Sequence, residues 1–168
     1  DNKYKELEKA EEKLEQERES STKNDGELQS KEEEITEGNK ITGLTEVTGA
    51  GVIVTLTDSK KDISSSLNPS DLIVHDLDVL SVINELKNAG AEAISINDQR
   101  IINMSDIVDI NSDYSSFIKI NGQRILSPYT IKAIGDPTYM ESSLIGNGGV
   151  VDTMKKTGQD ITIDKPNN

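Results

Sequence analysis

Carboxylates dominate the side chains that could do chemistry here: 31 Asp and Glu stand against 18 Lys and Arg, one His and no Cys. Without Cys there is no thiol nucleophile, no disulfide and no Cys-ligated zinc or iron–sulfur site. A single His excludes a multi-His metal centre. That residue, His75, stands just before an expected helix, and no Gly-x-Ser-x-Gly nucleophile motif accompanies it. It reads as structural or solvent-exposed. Asp109-x-Asn111-x-Asp113 copies the first three ligand positions of a calcium loop. Such a loop then needs Gly and, at its twelfth position, a bidentate Glu. Tyr114 and Ile120 stand there instead, so an acidic surface loop and weak calcium candidate is expected. Gly49-Ala50-Gly51 precedes a strand, where a dinucleotide fingerprint must follow one. Gly146-Asn147-Gly148-Gly149 lacks the Lys-Ser/Thr of a phosphate loop. No catalytic residue and no cofactor is expected.

The best polar constellation is Asn97, Gln99, Arg100, Lys132 and Asp136, all at expected strand ends or turns, with Asn121, Arg124 and Tyr129 in the adjoining hairpin. Turn and strand-edge hydrogen bonding is the plain explanation. Arg and Tyr are enriched at binding hot spots, so the functional alternative leans to protein docking, with a polar small-ligand pocket at the strand ends behind it.

These residues need elements to hold them. Val52–Thr57 is β-branched and apolar and predicts a buried strand. Asp58–Ser70 is polar and ends in Asn68-Pro69, a loop. A helix follows from about Asp76 to Asn88, with Leu77, Leu80, Val82, Ile83 and Leu86 as its apolar face and Gly90 as its stop. Ala91–Asn97 reads as the next strand, and Gln99–Met104 as a short continuation. Asn121-Gly122 between Ser116–Ile120 and Gln123–Leu126 is a strong hairpin signal. Tyr129–Ile134 is a strand. Asp136 and Pro137 then cap and open a helix to about Ile145. Val150–Lys156 is a second short helix and Ile161–Ile163 a last strand. Strand, helix, strand, hairpin, helix, strand predicts an α+β fold around a mainly antiparallel sheet: a ferredoxin-like βαββαβ core with extra strands.

Residues 1–40 differ in kind, with 14 acids against 8 bases and four aliphatic residues at one heptad position, Leu7, Leu14, Leu28 and Ile35, with Ser21 between. The second seam is polar in the register Tyr4, Glu11, Arg18, Asp25, Glu32. A charged helical arm is expected, broken near Asn24-Asp25-Gly26, either solvated or weakly self-associating as a stalk. A hinge over 36–50 would separate 1–40 from a globular 41–168. The net charge of −13 disfavours nucleic acid as a partner, and no apolar run is long enough to span a bilayer.

Three strings stand out as specific: Gly49–Asp58, Ala91-Glu92-Ala93-Ile94-Ser95-Ile96-Asn97-Asp98-Gln99-Arg100-Ile101 and Lys132-Ala133-Ile134-Gly135-Asp136-Pro137. With Asn84-Glu85-Leu86 and Pro128-Tyr129 they resemble the YlxW/YlxX-type family of bacterial proteins, domain-of-unknown-function group 881, over about residues 44–165. The stretch Met104–Tyr114, with Asp106, Asp109 and Asp113, is more acidic than that resemblance leads one to expect. The resemblance implies a single-pass anchor upstream of Asp1, a coiled-coil stretch, and an extracytoplasmic α+β domain. It also implies association with the cell envelope and division of Gram-positive bacteria, and no established activity. On that basis the expected partner is another envelope or division protein, with homo-oligomerisation through the arm and membrane contact only through the anchor.

Overall fold

A computed structural model of the chain describes residues 2–60, 69–112 and 115–166. The chain divides into two compact units, Asp1–Glu46 and Val47–Asn168.

The first unit is one helix, α1, Asn2–Thr42. It runs straight through Asn24-Asp25-Gly26, where the sequence suggests a break. One interior Gly costs a helix only about 1 kcal/mol, and the Lys, Glu, Leu and Gln around it are good helix formers. Thr22 and Thr36 return their hydroxyls to the carbonyls of Arg18 and Glu32, so they do not compete for other backbone shapes. No described helix is long and apolar enough to cross a membrane.

The second unit contains eight strands and three α-helices among the described residues, besides a single 3₁₀ turn at Pro69–Leu72. They are β1 (Gly51–Thr57), α2 (Asp76–Asn88), β2 (Ala93–Ile96), β3 (Gln99–Ile101), β4 (Ile107–Ser112), β5 (Ser115–Ile120), β6 (Gln123–Ile125), β7 (Tyr129–Ile134), α3 (Pro137–Ile145), α4 (Val150–Thr157) and β8 (Asp160–Asp164). Five strands form one sheet in the order β3-β2-β7-β1-β8, every neighbouring pair antiparallel. β1 and β2 therefore point the same way with β7 between them, joined through α2. β7 and β8 likewise point the same way with β1 between them, joined through α3 and α4. Strands β4-β5-β6 form a second antiparallel sheet. The fold is thus α+β and mainly antiparallel, behind a long N-terminal helix.

Alternation decides which face is buried. Val52, Val54 and Leu56 of β1, Ile94 and Ile96 of β2, and Tyr129, Ile131 and Ala133 of β7 all point into one core. Met140, Leu144, Val151 and Met154 come down on it from α3 and α4, and Ile118, Ile120 and Ile125 join it from the second sheet. The α2 contribution is Val79, Val82, Ile83 and Leu86, an i, i+3, i+4, i+7 stripe. Leu77, expected on that face, falls about 200° away from Val79 at 100° per residue and is exposed.

Two tight turns need left-handed backbone. Asn121 and Gly122, with φ of 50° and 79°, turn β5 into β6 as the sequence predicts. Asn97 and Asp98, with φ of 43° and 65°, do the same between β2 and β3. β4 is the larger surprise, because it crosses the acidic stretch expected to be a loop.

Candidate functional site

The predicted strand-end cluster gathers in part. Asn97 bridges β2 to β7: its Oδ1 accepts the Thr130 N–H at 2.8 Å and its Nδ2 donates to the Pro128 carbonyl at 3.2 Å. Lys132 meets Asp98 at 2.8 Å, an ion pair exposed on both sides. Pairing of Ser95 with both Arg100 and Lys132 puts those two cations on one face, two strands apart. Asn121 donates to the Arg100 carbonyl at 2.9 Å, and Gln99 pairs with Ile96 across the β2–β3 turn. The other candidates lie elsewhere. Tyr129 is buried opposite Leu56. Arg124 stacks over the Phe117 ring, 4.0 Å from its centroid, on the second sheet. Asp136 is at the opposite end of β7, where its Oδ1 accepts the N–H groups of Thr138 and Tyr139 and caps α3.

A denser polar cluster, which the sequence does not reveal, sits where the second sheet meets the N-terminus of α2. His75 Nδ1 bonds Asp109 Oδ2 at 2.7 Å, and its Nε2 lies 2.9 Å from the Ser70 carbonyl oxygen. Asp109 Oδ1 accepts the Asp76 N–H at 2.9 Å, while Asp76 Oδ2 accepts the Asp109 N–H at 3.1 Å. The His75 N–H donates to Asp78 Oδ2 at 2.9 Å, the backward half of a capping box, and the same carboxylate oxygen accepts from the buried Gln159 side chain at 2.8 Å. Only the His75–Asp78 contact is local in sequence; Asp109 comes from 34 residues away. Both Asp109 oxygens are used in this clip, and among the described residues no group of His and carboxylates is placed to hold a metal. The Asn111 side chain and Asp113, the rest of the calcium pattern, lie outside the described residues.

The clip sets the titration of its own groups. Burial pulls the His75 pKa down, but the bonds to Asp109 and the Ser70 carbonyl and the charges of Asp109 and Asp78 outweigh it. The net result is above the ordinary 6.5. Tyr129 is pushed up to about 12, first by burial, then by the charges of Asp58 and Asp109, against a backbone bond at Ile118.

Beside the clip lies a recess of about 180 Å³ between Asp58, the Ile73–Val74 segment, Leu126, Ser127 and Tyr129. Asp58 holds it together: its Oδ1 accepts the Val74 N–H at 2.9 Å and its own N–H donates to Ser127 Oγ at 3.0 Å.

Comparison with known proteins places this architecture. Residues 34–168 match the model of a family described as bacterial protein of unknown function (DUF881). The chain belongs to this family. It is 33% identical to YlxW of Bacillus subtilis over 129 residues, covering 73% of this chain and 51% of that protein. It is 36% identical to YlxX of the same organism over 112 residues, covering 65% and 45%. The chain therefore spans about half the length of these relatives. Among solved structures, the crystal structure of an uncharacterized conserved protein from Mycobacterium tuberculosis aligns with a TM-score of 0.61 at 28% identity, covering 76% of this chain and 81% of that one. Family membership thus brings no residue roles, and the reading of the site rests on its own geometry.

Proposed function

We propose that this chain is a non-enzymatic interaction domain of a membrane-anchored bacterial envelope protein. The head faces outward, and α1 serves as a self-associating stalk. The carrying observation is a stripe on α1. Leu14, Leu28 and Ile35, spaced by multiples of seven residues, are 52%, 61% and 63% exposed on one charged 41-residue helix. A seven-residue spacing drifts only about 20° per repeat on a helix, so these side chains share one line. In register, two copies would bury like against like.

For the head, the order β2-β7-β1-β8, with helices joining β1 to β2 and β7 to β8, supports a ferredoxin-like core. On this reading β3 extends one edge and β4–β6 is an insertion. The strand-end cluster gives little support to ligand sensing, because the Asn97 side chain is bonded to backbone at both ends and Lys132 is paired with Asp98. The partner proposed for the head is another envelope or division protein.

Sedimentation velocity on the full chain tests the stalk. A concentration-dependent dimer is expected, and Leu14→Glu with Leu28→Glu should return a monomer with unchanged melting of the head. A chain that stays monomeric at every concentration overturns the stalk. Crosslinking of the full-length protein in its native membrane tests the envelope role. Recurrent crosslinks from the head to one envelope protein support it, and their absence counts against it.

A further inference from the structure

The recess beside Asp58 combines three features that the stalk reading does not use. Its wall is mixed: Ile73, Val74, Leu126 and Tyr129 line it together with Asp58 and Ser127. It has one anionic group, the Asp58 carboxylate, fixed through Val74, with the Ser127 hydroxyl next to it. Its volume, about 180 Å³, is below the roughly 300 Å³ at which metabolite pockets begin. At about 30 Å³ per water-sized group, it has room for about six heavy atoms. Leu126, on its lining, is 60% exposed.

We propose that this recess binds a primary ammonium on a short aliphatic stem, the chemistry of a lysine side chain or a small alkylamine. The stem lies along Val74, Leu126 and the Tyr129 ring. The ammonium meets Asp58 Oδ2 and the Ser127 oxygen. Charge favours this class at both ranges. The chain carries a net −13, and locally the Asp58 and Asp109 carboxylates lie near enough to add, after burial, to the upward push on the Tyr129 phenol. An anion would face both carboxylates. A neutral apolar group would leave Asp58 desolvated and unpaired, which costs more than the contact returns. The proposal does not depend on self-association of α1, which is read by mass rather than by residue.

The test is an amide NMR titration of the full chain with n-butylammonium chloride, Nα-acetyl-lysine methylamide and, as the neutral control, n-pentanol. Few heavy atoms limit the affinity to the order of 1 mM. Saturable shifts confined to Asp58, Val74, Ser127 and Tyr129 are expected with the two ammonium probes and not with the alcohol. Saturation by the lysine derivative alone assigns the site to a partner polypeptide, and saturation by butylammonium alone to a free amine. Asp58→Asn keeps an acceptor for Val74 and should weaken binding at least about tenfold, the loss expected when one charge-assisted contact goes. If that variant fails to fold, Leu126→Lys at the exposed rim serves instead. It places a competing ammonium in the recess and should lower affinity for butylammonium several-fold. Shifts that stay linear with concentration, that are equal for the alcohol, or that persist unchanged in Asp58→Asn or Leu126→Lys overturn the proposal.

Discussion

Replacing Asp109 with Ala tests whether the clip at the α2 N-terminus holds the second sheet in place. The carboxylate accepts the His75 ring at 2.7 Å and the Asp76 N–H at 2.9 Å, and its side chain is only 16% exposed. Bonds to a charged group contribute about 1.5–3 kcal/mol each. The His75 ring is 26% exposed and can recover water, so the loss should total about 2–4 kcal/mol rather than the full sum. A double-mutant cycle with His75→Ala should leave a coupling of about 1–2 kcal/mol. The coupling has a pH signature. Folded His75 holds its proton more tightly than the unfolded 6.5. Its ionic contribution is therefore complete below pH 6.5 and fades as pH rises through the higher folded value. Urea unfolding followed by tyrosine fluorescence, at about pH 5.5 and again at about pH 8.5, reads both effects. Wild type should lose stability relative to His75→Gln on going to the higher pH. Two single-mutant effects that add to within about 0.5 kcal/mol would refute the clip. So would a wild type that gains on His75→Gln as pH rises.

Three further outcomes follow from the packing. A Cβ on Gly51 would lie 1.9 Å from the Ala133 carbonyl oxygen, so Gly51→Ala must push β1 off β7; a loss of about 3 kcal/mol in urea unfolding is expected, and one below about 1 kcal/mol would show that the strands part easily. Ile131 is fully buried in the central strand β7, so Ile131→Ala should cost about 2–5 kcal/mol by the same measurement. Asp136→Ala removes the acceptor for two N–H groups at the start of α3 and should cost about 0.5–2 kcal/mol; an unchanged melting temperature would mean that Pro137 and the packing of Met140 position the helix unaided.

Elements with a local cause were legible in the sequence. The Asn121-Gly122 turn, the β7 alternation and the Asp136-Pro137 start of α3 each carry their own signal within a few residues. The misreadings arise where a distant partner changes the local balance. Ile107, Val108 and Ile110 are ordinary strand residues, but Asp106, Asp109 and Asp113 around them suggest a loop. Asp109 is tolerated in β4 because His75 and Asp76 meet it from 34 and 33 residues away. Leu77 is apolar but lies off the buried line of α2, which Val79 shares with Val82, Ile83 and Leu86. Of the candidate site, the polar residues at strand ends could be named, but only the pairing of Ser95 with Arg100 and Lys132 says which of them share a face. The recess could not be read at all, since Asp58, Val74 and Ser127 meet only after the chain has crossed between both sheets.

The edges of the five-stranded sheet bear on how copies of this chain could assemble. An exposed edge is an invitation to pair, and natural sheets defend theirs with charge or shortness. β3, at one edge, is three residues long. β8, at the other, exposes Asp160, Thr162 and Asp164 on one side while Ile161 is buried on the other. Two β8 strands meeting antiparallel about Thr162 would set Asp160 opposite Asp164 twice, and like charges directly opposed destabilise a strand pair. A slip of two residues would keep Ile161 on its own face, where pairing with β1 holds it, and would part these pairs, so the carboxylates disfavour the fully overlapped register. Joining heads with β8 fully overlapped is therefore disfavoured by Asp160 and Asp164. The aliphatic stripe of α1 carries no such defence on its own line, where Ser21 alone interrupts Leu14, Leu28 and Ile35. If copies associate, the arm is where it costs least. The pair Leu14→Glu and Leu28→Glu, which sets two carboxylates into the aliphatic line, should then remove association; an undiminished dimer in that variant would show that these leucines do not carry the contact.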